Sequence, residues 1–80
     1  MKIKVRVAEK KKVTLVIVTD FIRLDSALKL ANAVSSGGEA KTVVIDGKVK
    51  VGGEVCLQRG KKLREGDEFE FGNVIYEVTK

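Results

Sequence analysis

FIRLDSALKLANAVSSGGEAKTVVIDGKVKVGGEVCLQRGKKLR, residues 21–64, is the stretch that decides the fold. From Asp25 onward its apolar residues take a helical period: Ala27, Leu30, Ala31 and Val34 fall at i, i+3, i+4 and i+7, and Asp25 is placed to cap the start. The Ser35-Ser36-Gly37-Gly38 break is expected to end that helix. Ser36 and Glu39 have the S-x-x-E spacing of a capping box, so a second helix is expected to follow at once, with Ala40, Val43 and Val44 as its apolar stripe and Gly47 at its C-terminal cap. Gly52-Gly53 then separates Val49–Val51 from Glu54–Cys56, the mark of a two-residue hairpin loop. Two short helices in a helix-turn-helix-like arrangement therefore lead into a basic hairpin.

Working outward from this stretch, turn signals continue toward the C-terminus. Glu65-Gly66-Asp67 precedes Glu68–Phe71, and Gly72-Asn73 leads into Val74–Thr79. If Gly72-Asn73 is a two-residue loop, Phe71 pairs with Val74 and Phe69 with Tyr76 on the core face, leaving Glu68, Glu70 and Glu77 outside. Toward the N-terminus, Lys2 to Val7 alternates basic and apolar residues, as a half-buried strand does, and Val13–Val18 is nearly all apolar, as a strand covered on both faces is. The polar segment Ala8–Lys12 reads as the solvated turn between them. The fold expected is α+β: two short helices packed on a small, mostly antiparallel sheet, with an added N-terminal β-hairpin over residues 1–15 and the main domain over 16–80.

Composition narrows the functions. Eighty residues make one small domain, with no room for a separate catalytic one. A single cysteine, Cys56, and no histidine leave no internal disulfide and no soft-metal spacing, so no cofactor or metal is expected and a reducing cytoplasm is the natural compartment. No apolar run approaches the roughly 20 residues that span a bilayer, and the alternating N-terminus is unlike a signal peptide, so a soluble, non-exported monomer without membrane contact is expected. Ser35 and Ser36 have no histidine to activate them, and Asp46 and Glu54 lie in turns without an implied partner, so no catalytic residue is nominated. Cys56 would stand opposite Val49 and reads as a small packed hydrophobe.

The formal net charge of +5 is unevenly spread. Residues 1–23 carry seven basic side chains against Glu9 and Asp20, and residues 41–64 carry seven more against Asp46 and Glu54. After Arg64 the sign reverses, with Glu65, Asp67, Glu68, Glu70 and Glu77 against Lys80. A polyanion would be drawn to the middle of the chain and repelled by its end.

Several runs in this order, Phe21-Ile22-Arg23-Leu24-Asp25, Leu28-Lys29-Leu30-Ala31-Asn32, Ser36-Gly37-Gly38-Glu39-Ala40-Lys41, Val49 to Val55, Arg59-Gly60-Lys61-Lys62-Leu63 and Gly66-Asp67, resemble the S4 RNA-binding domain. The resemblance is closer to small stand-alone bacterial S4-like proteins of the YaaA/YbcJ type, and it covers about Val16 to Val78. It implies the S4-like (alpha-L) fold and a cytoplasmic binder of structured RNA, with ribosomal RNA or a ribosomal subunit as the partner. Two departures stand out. The hairpin turn that usually reads Val-Asn-Gly is Val51-Gly52-Gly53 here, which keeps positive φ but loses a side-chain amide. The N-terminus is also longer than the usual short strand.

Physics supplies a binding surface independently of the resemblance. The start of the second helix offers unpaired N–H groups and the positive end of a dipole, and Gly37 and Gly38 let a phosphate approach closely. Lys41 lies one turn further on, and Arg59, Lys61, Lys62 and Arg64 cluster just beyond the hairpin. The expected RNA-binding set is Arg23, Lys29, Ser36, Gly37, Gly38, Lys41, Lys48, Lys50, Arg59, Lys61, Lys62 and Arg64. Lys2, Lys4 and Arg6 either protect an edge strand or touch RNA. Because Phe69, Phe71 and Tyr76 fit core positions, recognition is expected to rest on shape and phosphates. The alternative is a protein-interaction adaptor using the sheet edge or the N-terminal hairpin. A DNA-reading helix-turn-helix is disfavoured, because the second helix turns only Lys41 and Thr42 outward, neither of them an Arg, Asn or Gln suited to base edges.

Overall fold

The computed structural model describes residues 10–80, and its second helix, α2 (Gly37–Ile45), begins where the capping box puts it. Ser36 Oγ accepts from the Glu39 N–H at 3.2 Å, while the Glu39 carboxylate reaches one residue further than usual and accepts from the Ser35 N–H at 2.7 Å. At the other end Gly47 takes φ 75°, its N–H donates to Val44 O, and the Lys48 N–H donates to Val43 O. That is the Schellman geometry, which satisfies two carbonyls of the last turn.

The first helix, α1 (Leu24–Leu30), differs from expectation at both ends. Its N-cap is Arg23, which makes no side-chain cap bond. Asp25 lies inside the first turn, where its carboxylate accepts from the Ser26 N–H at 2.8 Å and from Arg23 Nη2 at 3.2 Å and still complements the helix dipole. The helix ends well before Ser35, because Asn32 turns left-handed at φ 59° and the N–H groups of Asn32 and Ala33 close a second Schellman motif onto Lys29 O and Leu28 O. The buried face is Leu24, Ala27 and Leu28, whereas Leu30 is 55% exposed. Val34 is buried as expected, but the irregular chain after the helix carries it there.

The described residues also form seven strands: β1 (Lys11–Val16), β2 (Ile22–Arg23), β3 (Lys50–Val51), β4 (Glu54–Val55), β5 (Lys62–Leu63), β6 (Glu68–Phe71) and β7 (Val74–Thr79). Five form one sheet in the order β1-β7-β6-β3-β4, and β2 and β5 form a separate two-stranded ribbon. Both glycine loops close as two-residue turns with both central residues at positive φ: Val51 pairs with Glu54 across Gly52-Gly53, and Phe71 pairs with Val74 across Gly72-Asn73. Phe69 and Tyr76 stand opposite each other with their rings stacked 4.9 Å apart. They lie in one core with Leu15, Leu28, Val44, Val49, Leu63 and Val78. The architecture is α+β, two short helices on a mixed, mostly antiparallel sheet.

β1 departs from the reading of the N-terminal third. Lys11 and Lys12, read as part of a turn, are its first two residues, and it runs parallel to β7 from Lys11↔Val74 to Val16↔Thr79. It is covered on one face: Leu15 and Ile17 are buried, while Val16 is 61% and Val18 94% exposed. Successive side chains of the strand point to opposite faces, and only the set that includes Leu15 meets the core. The strand expected at Lys2–Val7, and with it the first arm of the hairpin, lies outside the described residues.

Parallel pairing also settles how the acidic C-terminal segment is balanced. Lys12 Nζ lies 3.1 Å from Glu68 and 3.5 Å from Glu77, and Lys10 Nζ lies 2.8 Å from Glu70. Lys10 and Lys12 are thus paired with carboxylates on the outer face of the sheet. The basic surplus of residues 41–64 is left to face solvent elsewhere.

Candidate nucleic-acid interface

The β2–β5 ribbon is short because each strand contributes one inward and one outward residue. Ile22 pairs with Leu63 on the inner side, where Leu63 is fully buried and Ile22 packs against the core. Arg23 pairs with Lys62 on the outer side, and both are exposed. Two further backbone bonds extend the contact into α1: Leu24 N–H to Lys61 O at 2.8 Å and Asp25 N–H to Arg59 O at 3.0 Å. The basic segment 59–63 is in this way fastened to the start of the first helix.

Phe21 completes the outer face. It precedes β2 on the same side as Arg23, and the residue is 37% exposed. Lys62 Nζ lies 4.8 Å and Arg64 Cζ 5.7 Å from its centroid, within the range of cation–π attraction. Within this cluster Asp25 pairs with the Arg23 guanidinium at 3.2 Å. Gly66, at φ 93°, forms the turn beyond β5, with the Asp67 carboxylate accepting from the Arg64 N–H at 2.7 Å. Gly60 has no such left-handed requirement; a Cβ there would rest 3.6 Å from the Arg23 guanidinium, which lies over it.

At α2, the Gly37 and Gly38 N–H groups head the helix, while those of Glu39 and Ala40 are bonded to Ser36. Neither glycine is at positive φ, a Cβ at Gly37 would meet nothing within 4 Å, and one at Gly38 would meet only Ser36 Oγ at 3.8 Å. Nothing in the protein itself requires the absence of side chains there. Lys41 is exposed on the same helix.

The structure brings Arg23, Lys62 and Arg64 together through the ring of Phe21 and the ribbon register, with Arg59 held beside them by its backbone. The other nominated residues lie apart. Lys61 lines a groove with Val55, Leu57 and Gln58 at the β4 edge. Lys29 lines a shallow apolar groove with Ile22, Ser26 and Leu30. Lys48 follows the C-cap of α2, and Lys50 stands opposite Glu70 on the outer face of the main sheet. Ser36 serves the helix as its cap.

Phe21 is the residue that sequence reasoning missed. A signal was available, since Phe21 and Arg23, like Lys62 and Arg64, are spaced two apart as residues on one strand face are. With only two residues paired on each side, no alternating run was long enough to reveal the ribbon.

Residues 15–79 match the S4 domain model. Over 52 residues the chain is 43% identical to the probable ribosome maturation protein RlbA of Bacillus subtilis (strain 168), a span that covers 65% of this chain and 73% of that protein. The matched residues take in α1, α2, the glycine hairpin and the ribbon that gathers the cations, and on that evidence this chain belongs to the S4 domain family.

Proposed function

We propose that this protein is a non-catalytic binder of structured RNA that acts in the maturation of the ribosome, with ribosomal RNA or an assembling subunit as its partner. The observation that carries the reading is the outer face of the β2–β5 ribbon, where Arg23, Lys62 and Arg64 converge and, among the described residues, only Arg23 is engaged in an ion pair, with Asp25. Cations gathered on one face neutralise successive phosphates and release the counterions condensed on them. The N-terminus of α2, with two glycines and Lys41, supplies a second phosphate position. Similarity to a probable ribosome maturation protein supports the ribosomal part. On this reading the protein works in the cytoplasm as a monomer, without a cofactor; among the described residues no helix is long and apolar enough to cross a membrane.

The test is a salt titration of binding to folded ribosomal RNA fragments, comparing the wild type with a Lys41→Ala, Arg59→Ala, Lys62→Ala variant of matched thermal stability. The wild type should lose affinity steeply with salt. The variant should bind more weakly and with a shallower slope, by up to about 0.7 to 0.9 log unit per lost phosphate contact. Equal binding by the two proteins would remove this surface from consideration and favour the adaptor reading, for which the exposed Val55 and Leu57 beside β4 would be the place to look.

A further inference from the structure

The four aromatic residues of this chain divide unevenly. Phe69 and Tyr76 are buried and stacked on each other, and Phe71 packs against the same core. Phe21 alone is carried to the solvent face, with two cations, Lys62 and Arg64, over its ring and Arg23 opposite Lys62 in the ribbon. Holding down the aliphatic stems of two basic residues would need only a branched aliphatic side chain. A ring adds a π-face, on which a nucleobase of any identity can stack.

Resting on the RNA-binding reading above, we infer that Phe21 is a stacking platform for a single unpaired nucleobase, so that the ribbon selects structured RNA carrying a bulged or extruded nucleotide over uninterrupted duplex. Bases inside an A-form helix are stacked on each other and cannot reach a side-chain ring, whereas an unpaired base can leave the stack. A base placed on Phe21 brings its own backbone phosphate within reach of Lys62 and Arg64, so one nucleotide satisfies both parts of the cluster. Arg64 is suited to this because a guanidinium can stack on the far side of the base as well as pair with the phosphate. The three cations provide affinity for any folded RNA, and the ring provides the preference.

The experiment measures binding of the full chain to two RNA probes, a blunt duplex and the same duplex with one bulged nucleotide, for the wild type, Phe21→Leu and Phe21→Trp. The wild type should prefer the bulged duplex by about tenfold. Phe21→Leu should lose that preference, weakening binding to the bulged duplex about tenfold more than binding to the blunt one. Phe21→Trp should keep the preference, and its fluorescence should be quenched by the bulged probe alone. Equal wild-type affinity for the two probes, with binding still steeply salt-dependent, overturns the inference and leaves the RNA-binding reading standing. Equal weakening of both probes by Phe21→Leu also overturns it, since the ring then serves only to position Lys62 and Arg64. Absence of wild-type binding to either probe at low salt overturns both readings together.

Discussion

Arg23 and Lys62 stand directly opposite each other across the β2–β5 ribbon, two cations on one face of a two-residue pairing. Like charges in directly opposed positions destabilise a strand pair, and here the repulsion is relieved by Asp25 at 3.2 Å from Arg23 and by the Phe21 ring 4.8 Å from Lys62. Such an arrangement is unfavourable for folding and favourable for an anion. Lys62→Glu should therefore leave stability within about 0.5 kcal/mol of the wild type, the new pair with Arg23 offsetting the lost contact with the Phe21 ring, while weakening RNA binding at least severalfold. Calorimetric melting and a binding titration on the same preparation check both.

Gly37 and Gly38 offer a second separation of stability from function. Both occupy the first turn of α2 without positive φ, and a Cβ would meet nothing at Gly37 and only the Ser36 hydroxyl, at an ordinary 3.8 Å, at Gly38. Gly37→Ala and Gly38→Ala should each stabilise the protein by about 0.5 kcal/mol, by limiting the unfolded chain. Bound RNA should nonetheless weaken severalfold, because the methyl groups occupy the approach of a phosphate to the helix N-terminus. Urea melts paired with RNA titrations would show the opposed signs.

The core tolerates much less. Phe69 is 1% exposed and stacked on Tyr76, and in a domain of this size it is among the largest fully buried side chains. Phe69→Ala should cost about 3–5 kcal/mol, comparable to the whole stability of a small domain. Loss of cooperative melting by circular dichroism at 37 °C is the expected result, and Phe69→Leu should remain folded.

Lys12 gives the sheet an alkaline limit. Its amine is held above the usual lysine value, first by the hydrogen bond to Glu68, then by the charges of Glu68 and Glu77. A lysine whose folded pKa is raised contributes stability that is complete below its unfolded value, about 10.4, and is lost as pH rises through the higher folded value. Lys12→Met should accordingly melt below the wild type at pH 9. The gap should close as pH climbs past about 10.4, and it should narrow with added salt, since the pair is exposed.

What the sequence alone determined is local. The capping box at Ser36 and Glu39, the Gly47 stop, the register across Gly52-Gly53 and Gly72-Asn73, and the pairing of Phe69 with Tyr76 were all legible, because each rests on residues a few positions apart whose φ or hydrogen bonding admits one arrangement. Asn32 was the local exception: an asparagine can take the left-handed conformation that ends a helix, but apolar spacing through Val34 hid the stop.

Tertiary structure alone decided where the charges go. The parallel pairing of β1 with β7 joins residues more than sixty positions apart and sets Lys12 against Glu68 and Glu77. The β2–β5 ribbon joins Arg23 to Lys62 and, through them, the Phe21 ring to Arg64. Local spacing does not reveal which segments pair, because each contact depends on the whole core closing around Leu63, Val78 and the two helices before its few residues can meet. Loop closure over that distance is entropically costly and is repaid only by the collective burial of the domain, so the face on which the basic surplus gathers is a property of the finished fold.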